Sequence, residues 1–283
     1  MSVMLLFSKL TGQRGIPLVE ALFWRQLLPA VALFGWLALR GEAGRLRTAR
    51  FWVHVRRAVI GTVGMFLTLG VVRLLPLAEA TILGFTTPMF AVVLATLVLG
   101  ETAGRWRWGA VVLGLMGVLM IVGPDRGHMP LNGVLVGLGA AFFVALVSIQ
   151  LRELGRTEEP ICVVFYFSLL GALMLLPGAV FTAVPHSPTD WLMLAGLGVT
   201  GLATQLLLTA ALRFGRVSSV IVMDYSQLIW TTLWGFLLFR QLPPATTWAG
   251  APLIIAAGLI IAWREHKLHR RTPLDPATAP NVD

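Results

Sequence analysis

The sequence predicts an all-α, polytopic membrane protein of ten transmembrane helices arranged as two inverted five-helix repeats. Three observations lead there: scarce charge, long runs that are apolar on every side, and a pattern of spans and breakers that recurs along the chain. Of 283 residues, 57% are hydrophobic and 12% charged, with a mean hydropathy of +0.82. A soluble domain carries about 25% charged residues, so here there is too little charge to cover a globular surface. The net charge of +9 reflects 22 Lys and Arg against 13 Asp and Glu. These charges form short clusters between apolar runs, whereas a nucleic-acid binder displays its basic face on a soluble fold. No nucleic-acid partner is expected. The single cysteine, Cys162, excludes an internal disulfide framework and a CxxC metal knuckle.

A bilayer-spanning helix needs about 20 mostly apolar residues. Candidate runs occupy 1–12, 17–39, 57–74, 77–99, 106–123, 131–151, 160–183, 190–212, 217–239 and 246–263. Breakers separate them: Arg40-Gly41-Glu42, Gly100-Glu101, Gly123-Pro124-Asp125 and Pro243-Pro244. Transmembrane β-barrels alternate apolar and polar residues, but runs such as Val111–Val122 are apolar all round, so the spans are helical. The first run gives only about 18 Å of helix at 1.5 Å per residue, too little to cross unaided. Either the true start lies upstream of Met1 or this helix is short. It lacks a basic n-region and a small-residue cleavage site and does not read as a signal peptide.

Lys and Arg concentrate on cytoplasmic loops. Assigned to alternate faces, 16 of the 22 fall on one side, among them Arg45, Arg47, Arg50, Arg56, Arg105, Arg152, Arg213 and the C-terminal tail. The other 6 are Lys9, Arg14, Arg25, Arg73, Arg126 and Arg240. This places both termini in the cytoplasm and the chain in the inner (plasma) membrane.

A shift of 140 residues lays Arg73 on Arg213, Phe85 on Tyr225 and Trp108 on Trp248. Helix 77–99 then falls on 217–239, and 106–123 on 246–263. A repeat with five crossings must enter the membrane from the opposite side in its second copy. Inverted repeats of this kind belong to secondary transporters. The expected units are 1–125, 130–265 and a cytoplasmic tail, 266–283.

Leu74-Leu75-Pro76-Leu77-Ala78-Glu79-Ala80-Thr81, then Phe85-Thr86-Thr87-Pro88 and Leu99-Gly100-Glu101, resemble the fourth-helix signature of the EamA-domain family in the drug/metabolite transporter superfamily. Asp224-Tyr225-Ser226-Gln227-Leu228-Ile229-Trp230, Thr247-Trp248-Ala249-Gly250 and Ala256-Ala257-Gly258 are similar to its ninth and tenth helices. The resemblance implies ten helices around a central cavity and a carrier of small metabolites. Amino acids, S-adenosylmethionine, riboflavin and nucleotide-sugars are the substrates it brings into view. The chain departs from the family pattern in its short first helix and in Arg240-Gln241, which stands where the first half has Gly100-Glu101.

Carriers hold substrate near the midplane at the repeat interface. There the shift aligns Thr86-Thr87-Pro88 with Ser226-Gln227-Leu228. Pro88 lacks an N–H and frees a carbonyl near residue 84, making it the expected hinge. Asp224 is the one carboxylate near the centre of a span, and an intramembrane acid faces a cavity or a partner. The expected substrate-binding residues are Phe85, Thr86, Thr87, Gln205, Asp224, Tyr225, Gln227 and Trp230. Lys9, Arg14, Glu20 and Arg25 read as a mutually paired cluster or a gate, and Arg73 is expected to pair with Glu79. Gly133-xxx-Gly137 and Ala110-xxx-Gly114 read first as internal packing, for a monomer or weak homodimer.

Enzyme motifs are missing: the sequence has no HExxH and no GxxxxGK(S/T) loop. The five histidines are expected in loops or tails, sharing no helical face. No catalytic residue, metal or cofactor is anticipated. The partners are a small-molecule substrate and the lipid bilayer. The function expected first is alternating-access export of neutral and aromatic amino acids. The alternative is uptake of a cofactor-like solute such as S-adenosylmethionine or riboflavin, or nucleotide-sugar-type exchange. A reporter cysteine at Arg47, in a Cys162→Ser background, should stay unlabelled by an impermeant thiol reagent on intact cells; labelling from outside reverses the orientation.

Overall fold

The computed structural model describes residues 1–98, 100, 104–122, 130–155, 157–214 and 224–269. They form α1 (Ser2–Gln13), α2 (Leu18–Leu39), a 3-10 turn (Ala43–Leu46), α3 (Phe51–Leu74), α4 (Leu77–Gly84) and α5 (Thr87–Val98). These are followed by α6 (Arg105–Val122), α7 (Leu131–Leu154), α8 (Pro160–Thr182), α9 (Pro188–Phe214), α10 (Gln227–Phe239) and α11 (Ala245–His269). No strand occurs among the described residues. Helices α4 and α5 are two halves of one crossing. Among the described residues, eight spans are long and apolar enough to cross a membrane; with the 12-residue α1 and the 13-residue α10 these helices give ten crossings, as expected.

Local chemistry sets the ends. Proline pre-sets φ for a helix start and has no N–H to leave unpaired there. Pro17, Pro76 and Pro130 stand directly before α2, α4 and α7, and Pro160 opens α8. Residues with positive φ end helices: Gly15, Gly41 and Gly100 do so at φ 78°, 69° and 65°. Arg240, at φ 55°, is the one non-glycine among the described residues to adopt this conformation.

Two helices, α3 and α11, run furthest past the expected bounds. α3 starts at Phe51 rather than 57, and within the added turns Arg56 pairs with Glu153 at 2.8 Å. α11 continues to His269. The expectation that all histidines lie in loops or tails is therefore corrected: His54 is a buried residue of α3, and His266 and His269 are in α11. Glu101, the turn at 123–126, the span start at 217–223 and the tail from 270 lie outside the described residues.

The packing repeats with the helices. α3 lies on α7 and α8; its counterpart α9 lies on α1 and α2. α5 touches α7 as α10 touches α1, while α2 meets α8, α4 meets α10 and α6 meets α11. Each of these pairings maps onto another or onto itself when the two five-helix sets are exchanged.

Small residues permit the closest approaches, since helices in lipid associate by van der Waals packing rather than by the hydrophobic effect. A Cβ on Gly133 would meet the Leu75 side chain at 2.6 Å, and one on Gly137 would meet Leu83 at 2.7 Å. Gly114 packs against Met89 and Ala257, so both expected small-residue motifs pack inside the chain. The tightest approach to backbone lies between α6 and α11, where a Cβ on Gly250 would stand 2.5 Å from the Gly117 carbonyl oxygen. Backbone cannot rotate away as a side chain can. Gly250→Ala should therefore destabilise by about 1–3 kcal/mol, the usual cost of overpacking, whereas Gly35→Ala, with nothing within 4 Å, should be near neutral. Thermal unfolding in detergent compares the two.

Candidate functional site

Both symmetry-related helices are interrupted at the same place. In the first repeat the helix stops at Gly84 and restarts at Thr87. In the second, the turn falls at Ser226, with α10 starting at Gln227. The carbonyl of Thr86 accepts from the Met89 N–H at 3.0 Å, and that of Ser226 from the Ile229 N–H at 3.1 Å, the same bond displaced by 140 residues. Pro88 leaves the Gly84 carbonyl without its helical donor. The Thr87 hydroxyl supplies one instead, donating to Gly84 O at 2.7 Å. The Thr86 hydroxyl donates to Leu83 O at 2.7 Å.

A cavity of about 460 Å³ lies between these two breaks. Phe85, Thr87, Pro88, Asp224, Tyr225 and Gln227 line it. Phe85 and Tyr225, paired by the repeat, meet edge to face with ring centroids 4.8 Å apart and planes at 77°. The Tyr225 hydroxyl sits directly over Gly258, where no Cβ stands in its way, and has no hydrogen-bond partner among the described residues.

Three expected site residues are not brought to this cavity. Thr86 is buried and turned to Leu83. Trp230 is 51% exposed on the outer face of α10. Gln205 is buried in α9 away from the lining. Sequence reasoning missed Ser148 and Arg152, which join the lining from α7. Their signal was there to find: Gly137, Ala140, Ala141, Val144, Ser148 and Arg152 recur every three or four positions, one face of a helix. Arg152 and Asp224, of opposite charge, are the Lys, Arg, Asp or Glu side chains on this lining.

The cavity extends toward the C-terminal ends of α7 and α9, reaching Arg152 and Ala211. The opposite end is held shut by hydrogen bonds. Lys9 Nζ donates to the Leu75 carbonyl at 2.8 Å and to Gln241 Oε1 at 3.2 Å. Arg73 donates to the Ile16 carbonyl at 2.8 Å, Arg14 pairs with Asp190 at 2.7 Å, and His186 shares a 2.7 Å hydrogen bond with Glu20. The expected mutual cluster of Lys9, Arg14, Glu20 and Arg25 does not form, nor does an Arg73–Glu79 pair. Lys9 and Arg73 reach backbone carbonyls instead, while Arg14, Glu20 and Arg25 take Asp190, His186 and Gln26 as partners. A separate polar vestibule of about 370 Å³, lined by Lys9, Arg73 and Gln241, lies on this side.

Two broken helices facing one cavity from inverted repeats are the architecture of a membrane carrier. The EamA-like transporter family matches residues 1–123 and again 131–263, and the chain belongs to that family. It is 30% identical over 264 residues to a riboflavin transporter of Vibrio cholerae, covering 92% of this chain and 87% of the relative. It is 28% identical to a pseudopaline exporter of Pseudomonas aeruginosa, covering 87% of each. An S-adenosylmethionine uptake transporter of Rickettsia prowazekii is 26% identical, covering 92% of this chain and 87% of its own. A chain of known crystal structure superimposes with a TM-score of 0.63 at 21% identity, over 94% of this chain and 96% of that one; that likeness concerns the fold alone. The protein is a small-molecule transporter, not an enzyme.

Thr87→Val should leave the Gly84 carbonyl with neither backbone nor hydroxyl donor, costing about 0.5–1.5 kcal/mol for the lost bond. Thermal unfolding of the purified variant, set beside Thr96→Val on the same helix, would detect the difference.

Proposed function

We propose that this transporter carries a zwitterionic metabolite bearing a flat apolar ring, by alternating access of two inverted repeats (1–125 and 130–265) in the inner membrane. The substrate class is an aromatic amino acid or an amino acid joined to a nucleoside, as in S-adenosylmethionine. The observation that carries this reading is the pair of opposite charges on the lining of one otherwise mostly apolar cavity, Asp224 and Arg152. A carboxylate suits a substrate amine, and a guanidinium suits a substrate carboxylate. Phe85 and Tyr225 offer edges and faces for a ring, while Thr87 and Gln227 offer neutral hydrogen bonds. A volume near 460 Å³ falls in the range of about 300–1,000 Å³ typical of small-molecule pockets. A polyanion such as a nucleotide-sugar would want several Lys or Arg and finds one. With both termini cytoplasmic, the cavity faces the cytoplasm, so the closed end is the outer one.

Uptake of an uncharged cofactor such as riboflavin is a second reading, favoured by the 30% identical relative named for it. Flux of phenylalanine, tryptophan, S-adenosylmethionine, riboflavin and a nucleotide-sugar into protein-only liposomes separates the two. Ring-bearing zwitterions should move and the nucleotide-sugar should not; riboflavin flux alone selects the second reading. On the first, Asp224→Asn should weaken substrate affinity about 10- to 150-fold, the equivalent of a charged hydrogen bond of about 1.5–3 kcal/mol. Tyr225→Ala and Gln227→Ala should each reduce flux with folded protein retained. Wild-type flux in all three variants moves the site elsewhere.

A further inference from the structure

At the cytoplasmic end of the proposed orientation, outside the lining of the transport cavity, three side chains with metal-binding atoms converge. His54 comes from α3, Cys162 from the first turn of α8, and Glu158 from the segment just before α8. One ligand atom of each lies within 4.8 Å of the others, and His54 Nε2 is 3.9 Å from Glu158 Oε1. His54 and Cys162 are buried, each 1% exposed. Both ring nitrogens of His54 lack a hydrogen-bond partner. A buried imidazole with neither nitrogen bonded is uncommon, because leaving buried polar atoms unpaired is costly.

We propose that His54, Glu158 and Cys162 form a binding site for a divalent transition-metal ion of the zinc type. Imidazole with thiolate selects zinc-like ions over magnesium or calcium, which take oxygen ligands. Zinc bonds of about 2.0–2.3 Å set tetrahedral ligand atoms about 3.3–3.8 Å apart, so the present group needs to contract by roughly 1 Å. Three protein ligands leave the fourth position to water. Binding requires the thiolate, and the Cys162 proton leaves to solvent. Thiolate and carboxylate together neutralise the ion's two charges.

The surroundings fit a held site. The Thr48 hydroxyl donates to Glu158 Oε1 at 2.7 Å, the outer-shell bond that orients a ligating carboxylate. The His54 ring lies against Tyr166, with centroids 4.7 Å apart, and the Tyr166 hydroxyl donates to the Leu46 carbonyl at 3.0 Å. Of the neighbouring cations, Arg50 is engaged by Glu153 at 2.7 Å. The Arg57 guanidinium lies over the Phe167 ring at 4.3 Å. An ion here would tie α3 to α8. The inference is independent of the substrate assignment.

The test uses full-length protein in detergent, stripped with chelator and titrated with Co²⁺, then Zn²⁺. One ion per chain is expected, with a thiolate-to-cobalt charge-transfer absorption that Zn²⁺ bleaches. Because Cys162 is the chain's one cysteine, Cys162→Ser should abolish that absorption. His54→Ala and Glu158→Gln should each weaken Zn²⁺ binding at least ten-fold. Glu158→Gln keeps the side-chain shape at a partly exposed position, and serves if the buried variants do not fold. A folded wild type without the absorption, or a folded Glu158→Gln that binds Zn²⁺ as tightly as wild type, overturns the proposal.

Discussion

Every backbone polar group inside a membrane must find a partner within the protein, because lipid offers none. That constraint decides where this transporter can break a helix. Pro88 removes a donor in mid-span, and the Gly84 carbonyl would be stranded if Thr87 did not reach back to it. The hydroxyl allows α4 and α5 to part at Phe85-Thr86, and the parting brings Phe85 to the cavity wall. The second repeat meets the same demand without a proline. There the Ser226 carbonyl at the turn accepts from the Ile229 N–H at 3.1 Å. Irregular backbone at depth is tolerated where it borders a cavity, so cavity and breaks require one another.

Symmetry carries the same logic to the helix ends. Arg73, at the end of α3, donates to Ile16 O between the first two helices of its repeat. Arg213, at the end of α9, donates to Glu158 O between the first two helices of the other, at 3.0 Å. The residue types match and so does the task, although the two sites lie on opposite sides of the membrane. Gly100 and Arg240 likewise both take the left-handed conformation that ends a helix. A side chain pays a steric cost there that glycine does not, and Arg240 bears it with its guanidinium 5.9 Å from the Phe236 ring centre.

The architecture was legible because lipid enforces a coarse rule on long segments. Runs of twenty apolar residues read as spans, and the expected bounds lie within a few residues of most helices. The aligned pair Phe85 and Tyr225 proved to be in contact. Side-chain direction was less legible. Thr86 and Thr87 are adjacent and chemically identical, yet one serves Leu83 and the other lines the cavity. Trp230 follows Gln227 by three residues but faces outward, because a helix only 13 residues long presents few of its positions inward. Arg152 was read as a topology charge, since positional bias says where an arginine sits across the membrane and nothing about which way it points. The His54, Glu158 and Cys162 group could not be seen at all. His54 lies over 100 residues from Glu158 and Cys162, and no short spacing links all three.

The closed end explains the departure that the sequence set apart. Where the first repeat has Gly100-Glu101, the second has Arg240-Gln241, and Gln241 accepts a hydrogen bond from Lys9. Lys9 also reaches the Leu75 carbonyl, beside the proline that starts α4, so one ammonium joins the first helix, the α3–α4 turn and the α10–α11 turn. Its counterpart under the repeat is Ile149, which can donate nothing. The other end therefore cannot close with the same bonds. Inverted repeats supply the two shapes that alternating access needs, but the energies of the two closed ends are set by different residues. On the alternating access proposed above, this asymmetry biases the equilibrium between the two states, because identical ends would favour neither.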